Sequence, residues 1–262
     1  MKIYFYGAAQ TVTGSQHLIE ANGKKILLEC GIFQGHRRDF YERNSSFAFD
    51  PTELDAVILS HAHIDHSGNL PNLVKQGYRG PIYATPPTVD LAAIMLADSA
   101  HIYEEDAAFL NKKKRKHGEA MVEPLYTRYD AEKVESLFEP INYDQPFQPV
   151  EGVTARFVEA GHILGSSAIV LEVEESEERK RLWFSGDIGR YKLPLLRDPV
   201  LPQDADVLLM ECTYGNRQHD DPEQAYRKFR DIVKRTIQRG GNVVVPAFAV
   251  GRAAEDVAGG EA

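Results

Sequence analysis

Short apolar runs separated by turn signals fill the first third of the chain, and they predict a series of β-strands. The predicted strands cover residues 2–6, 16–20, 25–30, 56–60 and 81–84. The dipeptide Asn22-Gly23 lies between the second and third runs. Because both of its residues tolerate positive φ, it predicts a tight β-hairpin.

The pattern becomes helical after residue 84. Thr85 can cap a helix and Pro86 can occupy its first turn, and the apolar residues that follow recur at roughly helical spacing. Those residues are Val89, Ala92, Ala93 and Leu96. Residues 104–133 are polar and charged, which is typical of a solvated helix face or loop. The basic run at 112–117 has a second interpretation, as a patch that contacts phosphate groups beside an active site.

Strand patterns return in the second half of the chain, at residues 153–158, 168–174, 181–184 and 207–210. A helix then begins at Asp221, a favourable N-cap followed by Pro222, and its apolar stripe ends before Gly240-Gly241. Residues 242–246 predict one more buried strand. Clusters of strands separated by helices indicate an α/β or α+β fold built on two packed sheets.

Composition narrows the class of protein. The 262 residues are 43% hydrophobic and 26% charged, as in a globular protein of one large domain or two small ones. The net charge of −9 argues against a generic cationic nucleic-acid or membrane binder. Two cysteines, Cys30 and Cys212, exclude a disulfide-rich scaffold and favour a reducing, cytoplasmic location. We expect neither a signal peptide nor a membrane span.

A dense histidine cluster carries the candidate chemistry. It consists of His61, His63, Asp65 and His66, directly after the apolar run at 56–60. Alternate side chains of an extended segment point to one side, so the first two histidines face together. If a helix follows, its first turn returns the aspartate and the third histidine to the same pocket. Imidazole and carboxylate together suit zinc or a related divalent ion, and adjacent ligands favour two ions over one.

Two further candidate ligands lie elsewhere in the chain. His162 occupies a glycine-flanked turn, 161–166, between two predicted strands, where a ligand is easily presented. Asp187 follows an apolar strand, within Ser185-Gly186-Asp187. Gly-Asp at a strand end is usually only a turn. Together with the histidine cluster, however, the two residues complete two ligand sets.

With these motifs in place, the sequence resembles the metallo-β-lactamase-fold hydrolases, whose signature is His-x-His-x-Asp-His. It is more narrowly similar to their β-CASP branch of RNA and DNA nucleases. Six segments carry the narrower likeness: residues 7–15, 29–35, 161–166, 185–187, 211–217 and 246–252. The likeness extends over nearly the whole chain.

The resemblance implies a four-layer αββα sandwich, with residues 1–210 forming the metallo-β-lactamase domain. Residues 211–262 would open a β-CASP insert whose remainder is absent, so we expect a chain truncated at its C-terminus. The resemblance further implies a zinc-dependent enzyme that cleaves or trims single-stranded RNA, and homodimers are usual in the resembling family. These properties are expectations for the present chain.

The resemblance also implies two zinc ions held by six residues. These are His61, His63 and His162 on the first ion, Asp65 and His66 on the second, and Asp187 between them. Asp65 would additionally orient the attacking water. Glu211 would support the histidines or the proton delivered to the leaving group, unless it is only a carboxylate that caps a loop.

Two departures from the family pattern bear on activity. Glu29 stands where the family more often has aspartate, at a carboxylate that holds a ligand histidine. No histidine follows His219, so two histidines that the family takes from later segments are absent. We therefore expect one zinc to bind tightly and the second weakly or not at all.

Two other functions are compatible with parts of the sequence. A single-domain metallohydrolase could use the same metal ligands on a small thioester or lactone, since fold alone does not determine substrate. The segment 211–217 resembles the β-CASP branch instead and disfavours this hypothesis. A non-catalytic RNA-binding or partner-binding remnant would explain the missing histidines, but the complete first ligand set argues against it.

Overall fold

The computed structural model describes residues 1–117, 119–176, 178–192, 195–217, 221–246 and 250. The chain divides into two compact units, Met1–Glu211 and Cys212–Ala262. His219 and most of the segment 246–252 lie outside the described residues, so the resemblance carried by that segment remains a sequence observation.

A six-stranded mixed sheet forms the first half of the larger unit. Its strands, in spatial order, are β1 (Lys2–Phe5), β2 (His17–Ala21), β3 (Lys24–Leu28), β4 (Ala56–Ile58), β5 (Ile82–Ala84) and β6 (Phe138–Pro140). The first three strands pair antiparallel, and β3 to β6 pair parallel. Asn22 and Gly23 both adopt positive φ, 52° and 73°, which confirms the hairpin between β2 and β3.

A five-stranded sheet forms the second half. Its strands along the chain are β7 (Phe147–Val150), β8 (Val153–Glu159), β9 (Ser167–Glu175), β10 (Glu178–Phe184) and β11 (Val207–Leu209). Their spatial order is β11-β10-β9-β8-β7. Only the β10–β11 pair is parallel, and the other pairs are antiparallel.

The two sheets pack face to face around one apolar core. Both sheets contribute side chains to it, including Ile19, Ile26, Leu28 and Ile58 from the first and Phe157, Ile169, Leu171 and Leu182 from the second. Burial of each such side chain contributes about 1.5–3 kcal/mol. The α/β class and the paired sheets expected of an αββα sandwich are confirmed.

Helices cover the other face of the six-stranded sheet. They are α1 (Arg37–Asn44), α2 (Ile64–Ser67), α3 (Leu70–Lys75), α4 (Pro86–His117) and α5 (Arg128–Glu135), with a short 3-10 turn at Pro51–Glu53. Leu27 points toward the helices while its neighbours Ile26 and Leu28 point toward the second sheet, as side-chain alternation along a strand requires. Leu73 and Leu96 complete this second core from the helix side.

The long helix α4 explains the polar stretch in the sequence. Its N-terminal half buries Ala92, Leu96 and Ala100 against the sheet, whereas the side chains of Lys112 and Arg115 near its end are exposed. The solvated helix face predicted for this run is confirmed. Contact with phosphate remains a hypothesis.

The smaller unit contains one helix, α6 (Pro222–Gln238), among its described residues. The side chain of Asp221 caps it by accepting hydrogen bonds from the backbone N–H groups of Glu223 and Gln224, at 2.9 and 3.2 Å. The strand predicted at 242–246 is wrong, because these residues adopt no regular secondary structure. None of the described strands offers them a hydrogen-bonded partner, and apolar residues without a partner strand do not form a ladder.

The predicted strands otherwise match the observed ones with boundary differences of no more than three residues. The apolar patterns did not predict β6 and β7, which are short and interrupted by proline. In the part of the chain that the structure describes, no helix combines the length and the apolar character that crossing a bilayer requires.

The burial of His17 makes the free energy of unfolding depend on pH. His17 is 6% exposed, its ring lies between those of Phe5 and Phe184, and burial lowers its pKa to about 4. Protons therefore bind the unfolded chain more readily than the folded one between pH 6.5 and about 4. We expect the free energy of unfolding to fall over this range as the pH is lowered.

Replacing His17 by phenylalanine keeps an aromatic ring and removes the titration. In urea unfolding of metal-free protein, His17→Phe should reduce the acid-induced loss of stability by about 2–3 kcal/mol, the value of roughly two pKa units. His101→Phe, at an exposed position of α4, is the matched control. Identical pH profiles for the wild type and His17→Phe would contradict the prediction.

Candidate metal centre

The parallel pairing of β3 with β4 creates the floor of the site. Leu28 is paired with Ile58, and the carboxyl ends of parallel strands reach the same edge of a sheet. The chain turns at Glu29, whose φ is 64°, and its backbone N–H donates to Ile58 O at 3.1 Å. The turn directs the Glu29 side chain into the protein, where it is 0% exposed, beside the segment that follows β4.

The histidine motif follows β4 as the sequence predicts. His61 and His63 lie in an extended segment, and His61 Nε2 is 3.2 Å from His63 Nδ1. His63 is the N-cap of α2, so Asp65 and His66 occupy the first turn of that helix. The strand-to-helix turn therefore brings all four side chains to one region.

His162 arrives from the second sheet, on the turn between β8 and β9. The Ser166 hydroxyl accepts a hydrogen bond from the His162 backbone N–H at 3.0 Å. The Thr85 and Thr88 hydroxyls donate to Gly165 O at 2.6 and 2.9 Å. These bonds join the turn to the start of α4 and hold His162 Nε2 at 3.1 Å from His63 Nδ1.

Asp187 comes from the loop that follows β10, and Glu211 holds that loop. A Glu211 carboxylate oxygen accepts the Ile188 N–H at 3.0 Å, and the Glu211 N–H donates to Ser185 Oγ at 3.0 Å. The loop also contacts the His162 turn closely, because a Cβ at Gly189 would lie 1.6 Å from Gly161 O. Glu211 therefore caps the backbone of the loop that carries Asp187.

Four of these residues form a compact donor set. One ligand atom from each of His61, His63, His162 and Asp187 lies within 4.8 Å of the others. Asp187 Oδ2 is 3.4 Å from His162 Nε2 and 3.8 Å from His61 Nε2. Three imidazole nitrogens and a carboxylate oxygen at these separations are the number and type of ligands that a tetrahedral divalent ion requires.

The three histidines of this donor set have the uncharged form that binding of a metal cation requires. Burial lowers the pKa of His61 well below its usual value, lowers the pKa of His63 to about 4, and also lowers the pKa of His162. All three rings are therefore neutral at neutral pH. A neutral imidazole has a free lone pair, which is the form that binds metals.

A second donor set shares Asp187. Its Oδ1 lies 3.3 Å from His66 Nε2, and Asp65 Oδ2 lies 3.9 Å from the same nitrogen. The two oxygens of Asp187 thus face different groups, with Oδ2 toward the first donor set and Oδ1 toward His66. One carboxylate in this position can serve two metal ions.

The buried Glu29 carboxylate is hydrogen-bonded to the segment that carries the histidines. It accepts hydrogen bonds from the Ser60 N–H at 2.6 Å, the Ser60 hydroxyl at 3.0 Å and His66 Nδ1. Burial by itself lowers the pKa of His66, but its hydrogen bonds to Asp187 and Glu29 have the larger combined effect. The pKa of His66 is therefore raised well above its usual value. Glu29, His61 and His66 also lie within ligand distance of one another, but these bonds occupy the Glu29 oxygens.

Sequence reasoning gave Ser60, Ser166 and Thr85 no role at the site, and Thr85 was considered only as a helix cap. None belongs to a residue type that binds zinc strongly, and each acts through a hydrogen bond to a residue distant in sequence or to a turn. The position of Ser60 immediately before the histidine motif was the one local signal available.

A shared fold family accounts for this arrangement. The model of the metallo-beta-lactamase superfamily domain matches residues 18–179. Because the match covers more than half of the chain, the protein belongs to the metallo-β-lactamase superfamily. The family expected from the motifs is therefore confirmed.

Several curated relatives are similar to this protein over almost the whole chain. Ribonuclease TTHA0252 of Thermus thermophilus is 39% identical over 255 residues, which are 97% of this chain and 53% of that protein. Probable RNase MJ4 of Methanocaldococcus jannaschii is 31% identical, over 97% of this chain and 55% of that protein. Cleavage and polyadenylation specificity factor 73 of Drosophila melanogaster is 32% identical, over 95% of this chain and 34% of that protein. The chain thus spans about half the length of these relatives or less.

The segment that follows β3 contains one tightly packed glycine, Gly31, and one glycine with open space around it, Gly35. A Cβ added at Gly31 would lie 1.6 Å from Asp65 O, whereas a Cβ at Gly35 would meet nothing within 4 Å. Gly31→Ala should therefore displace the start of α2 and destabilise the protein by about 1–3 kcal/mol. Gly35→Ala should leave stability unchanged within about 0.5 kcal/mol. Denaturant unfolding of both variants tests this difference, and equal stability would contradict it.

Proposed function

We propose that the protein is a zinc-dependent ribonuclease of the β-CASP type, which hydrolyses phosphodiester bonds of single-stranded RNA. The observation that carries the proposal is the division of Asp187 between two donor sets, because a pair of adjacent metal sites suits phosphodiester hydrolysis. The relatives named as ribonucleases support RNA as the substrate.

The proposed ligands are those expected from the family. His61, His63 and His162 would hold the first zinc, Asp65 and His66 the second, and Asp187 would lie between them. Mixed imidazole and carboxylate donors favour zinc over the harder magnesium ion. Ions bound there would supply activated water and positive charge near the scissile phosphate.

The remaining roles belong to side chains of the chain itself. Asp65 lies at the mouth of the site with 23% of its side chain exposed, which is compatible with orienting a water molecule and accepting its proton. Glu211 would keep Asp187 in place through the N–H of Ile188. A direct part for Glu211 in proton delivery stays a second possibility within the same proposal.

We propose the domain organisation that the resemblance implies, with residues 1–210 as the metallo-β-lactamase domain and 211–262 as the opening of a β-CASP insert. The division of the chain at residues 211 and 212 supports this boundary. The match of the family model to residues 18–179 supports the assignment of the first domain.

Three finer expectations accompany the proposal. Exposed cations at the end of α4, such as Lys112 and Arg115, would contact RNA phosphates outside the site. Cys30 and Cys212 are free thiols, which supports a reducing cytoplasm. The homodimer that the resemblance implies stays a prediction, and sedimentation of the purified protein would test it.

Cleavage of RNA tests the proposed reaction. His63→Ala removes a proposed ligand and should reduce cleavage of labelled single-stranded RNA by more than about 100-fold, since even residues that only orient ligands contribute 10–100-fold. His101→Ala makes the same substitution at an exposed histidine of α4 that contacts Glu105, and it should retain full activity.

Two outcomes of that experiment would overturn the proposed reaction. Equal residual activity in the wild type and His63→Ala would show that the metal cluster does not cleave RNA. RNA binding without cleavage, with zinc or manganese added, would favour the non-catalytic binding protein instead.

The two donor sets predict unequal metal affinity. The first set offers three histidines and Asp187, whereas the second has only Asp65, His66 and the shared Asp187. We therefore expect about one tightly bound zinc per chain after dialysis at neutral pH, with a second site filled only at higher zinc concentration. Elemental analysis of purified protein measures this ratio, and two stoichiometric zinc ions per chain would refute it.

A further inference from the structure

We propose that Ser60 is a positioning residue for His61, and that Glu29 and Ser60 form one hydrogen-bonded unit that aligns a histidine of each proposed metal position. Glu29 contacts His66 directly and reaches His61 through the Ser60 hydroxyl. The inference rests on the proposed metal site, because it concerns how that site is prepared for its ions.

The protons around Glu29 can be assigned by counting donors. An ionised carboxylate only accepts hydrogen bonds, and three donors converge on it: the Ser60 N–H, the Ser60 hydroxyl and His66 Nδ1. With its Nδ1 directed at Glu29, His66 turns its Nε2 toward Asp187 and Asp65, 3.3 Å from Asp187 Oδ1.

The same counting determines the tautomer of His61. A serine hydroxyl has one proton, and Ser60 directs it at Glu29. Its lone pairs then face His61 Nδ1 at 2.9 Å, so Nδ1 must carry the ring proton. The Nε2 of His61 is left with a lone pair that faces His63 Nδ1 and Asp187. The opposite tautomer would direct an N–H at those groups and block metal binding.

The surroundings of Ser60 hold its hydroxyl in this direction. Ser60 is 0% exposed, and its carbonyl accepts the Ser167 N–H at 2.9 Å. Gly186 closes the pocket, since a Cβ there would lie 2.6 Å from Ser60 Oγ. Ser60 therefore has little freedom to turn away from Glu29 and His61.

Ser60→Ala tests this role, and Ser67→Ala is its matched control. Ser67 is also 0% exposed and directly follows the histidine motif, as Ser60 directly precedes it. Its hydroxyl donates to the carbonyls of Ala62 and His63 rather than to an imidazole ring or to Glu29. In chelator competition, Ser60→Ala should weaken binding of the tighter zinc by about 10–100-fold. Ser67→Ala should change it by less than about threefold.

The tautomer of His61 provides a second measurement. A general loss of packing in a variant would not by itself change which ring nitrogen carries the proton. In long-range proton–nitrogen NMR spectra of metal-free wild type, His61 should be protonated at Nδ1. Ser60→Ala should shift it toward protonation at Nε2, and Ser67→Ala should not. Protonation at Nε2 in the wild type would overturn the proposal, and it does so even if Ser60→Ala fails to fold.

Glu29→Gln tests the coupling between the two positions. The amide nearly preserves the shape of the side chain but brings its own N–H protons to Ser60 and His66, so zinc affinity should fall at both positions. Loss at one position alone would overturn the coupling. Failure of the wild type to bind zinc would refute the proposed metal site, whereas normal zinc binding by Ser60→Ala with an unchanged tautomer would refute only this inference.

Discussion

The parallel pairing of β3 with β4 is the constraint on which the rest of the site depends. It brings the end of one strand, at Glu29, beside the start of the histidine segment, at Ser60, although 31 positions separate them in sequence. A carboxylate with no exposure to solvent is costly unless donors surround it. Here the donors come from the same segment that carries the candidate ligands, so satisfying Glu29 also orients the imidazoles.

The second sheet completes the site because the apolar core holds it against the first. His162 and Asp187 stand on loops at the ends of β8 and β10, and each loop is joined to a neighbouring element by hydrogen bonds. The His162 turn is bound to the start of α4, and the Asp187 loop is held by Glu211 after β11. Ligands on two packed sheets are held more rigidly than ligands on a single flexible segment.

The accuracy of the sequence-based expectations follows from the range of the interactions involved. Strands with a strong apolar pattern, and the turn at Asn22-Gly23, were predictable because their signals lie within a few residues. The expectation failed at residues 242–246, where an apolar run lacks a partner strand among the described residues. The roles of Ser60 and Ser166 were not predictable, because a hydroxyl acquires a role of this kind only from the groups packed around it.

By itself, the sequence determined the α/β class, the superfamily and the identity of the candidate ligands, since periodicity and the spacing of the histidine motif are local properties of the chain. The tertiary structure alone decided the distances at which Asp187 faces the two donor sets. It also decided that one buried carboxylate reaches His66 directly and His61 through Ser60. Distances such as the 3.1 Å between His63 and His162, which are 99 positions apart, depend on strand pairing and on the packing of two sheets. No local pattern encodes them.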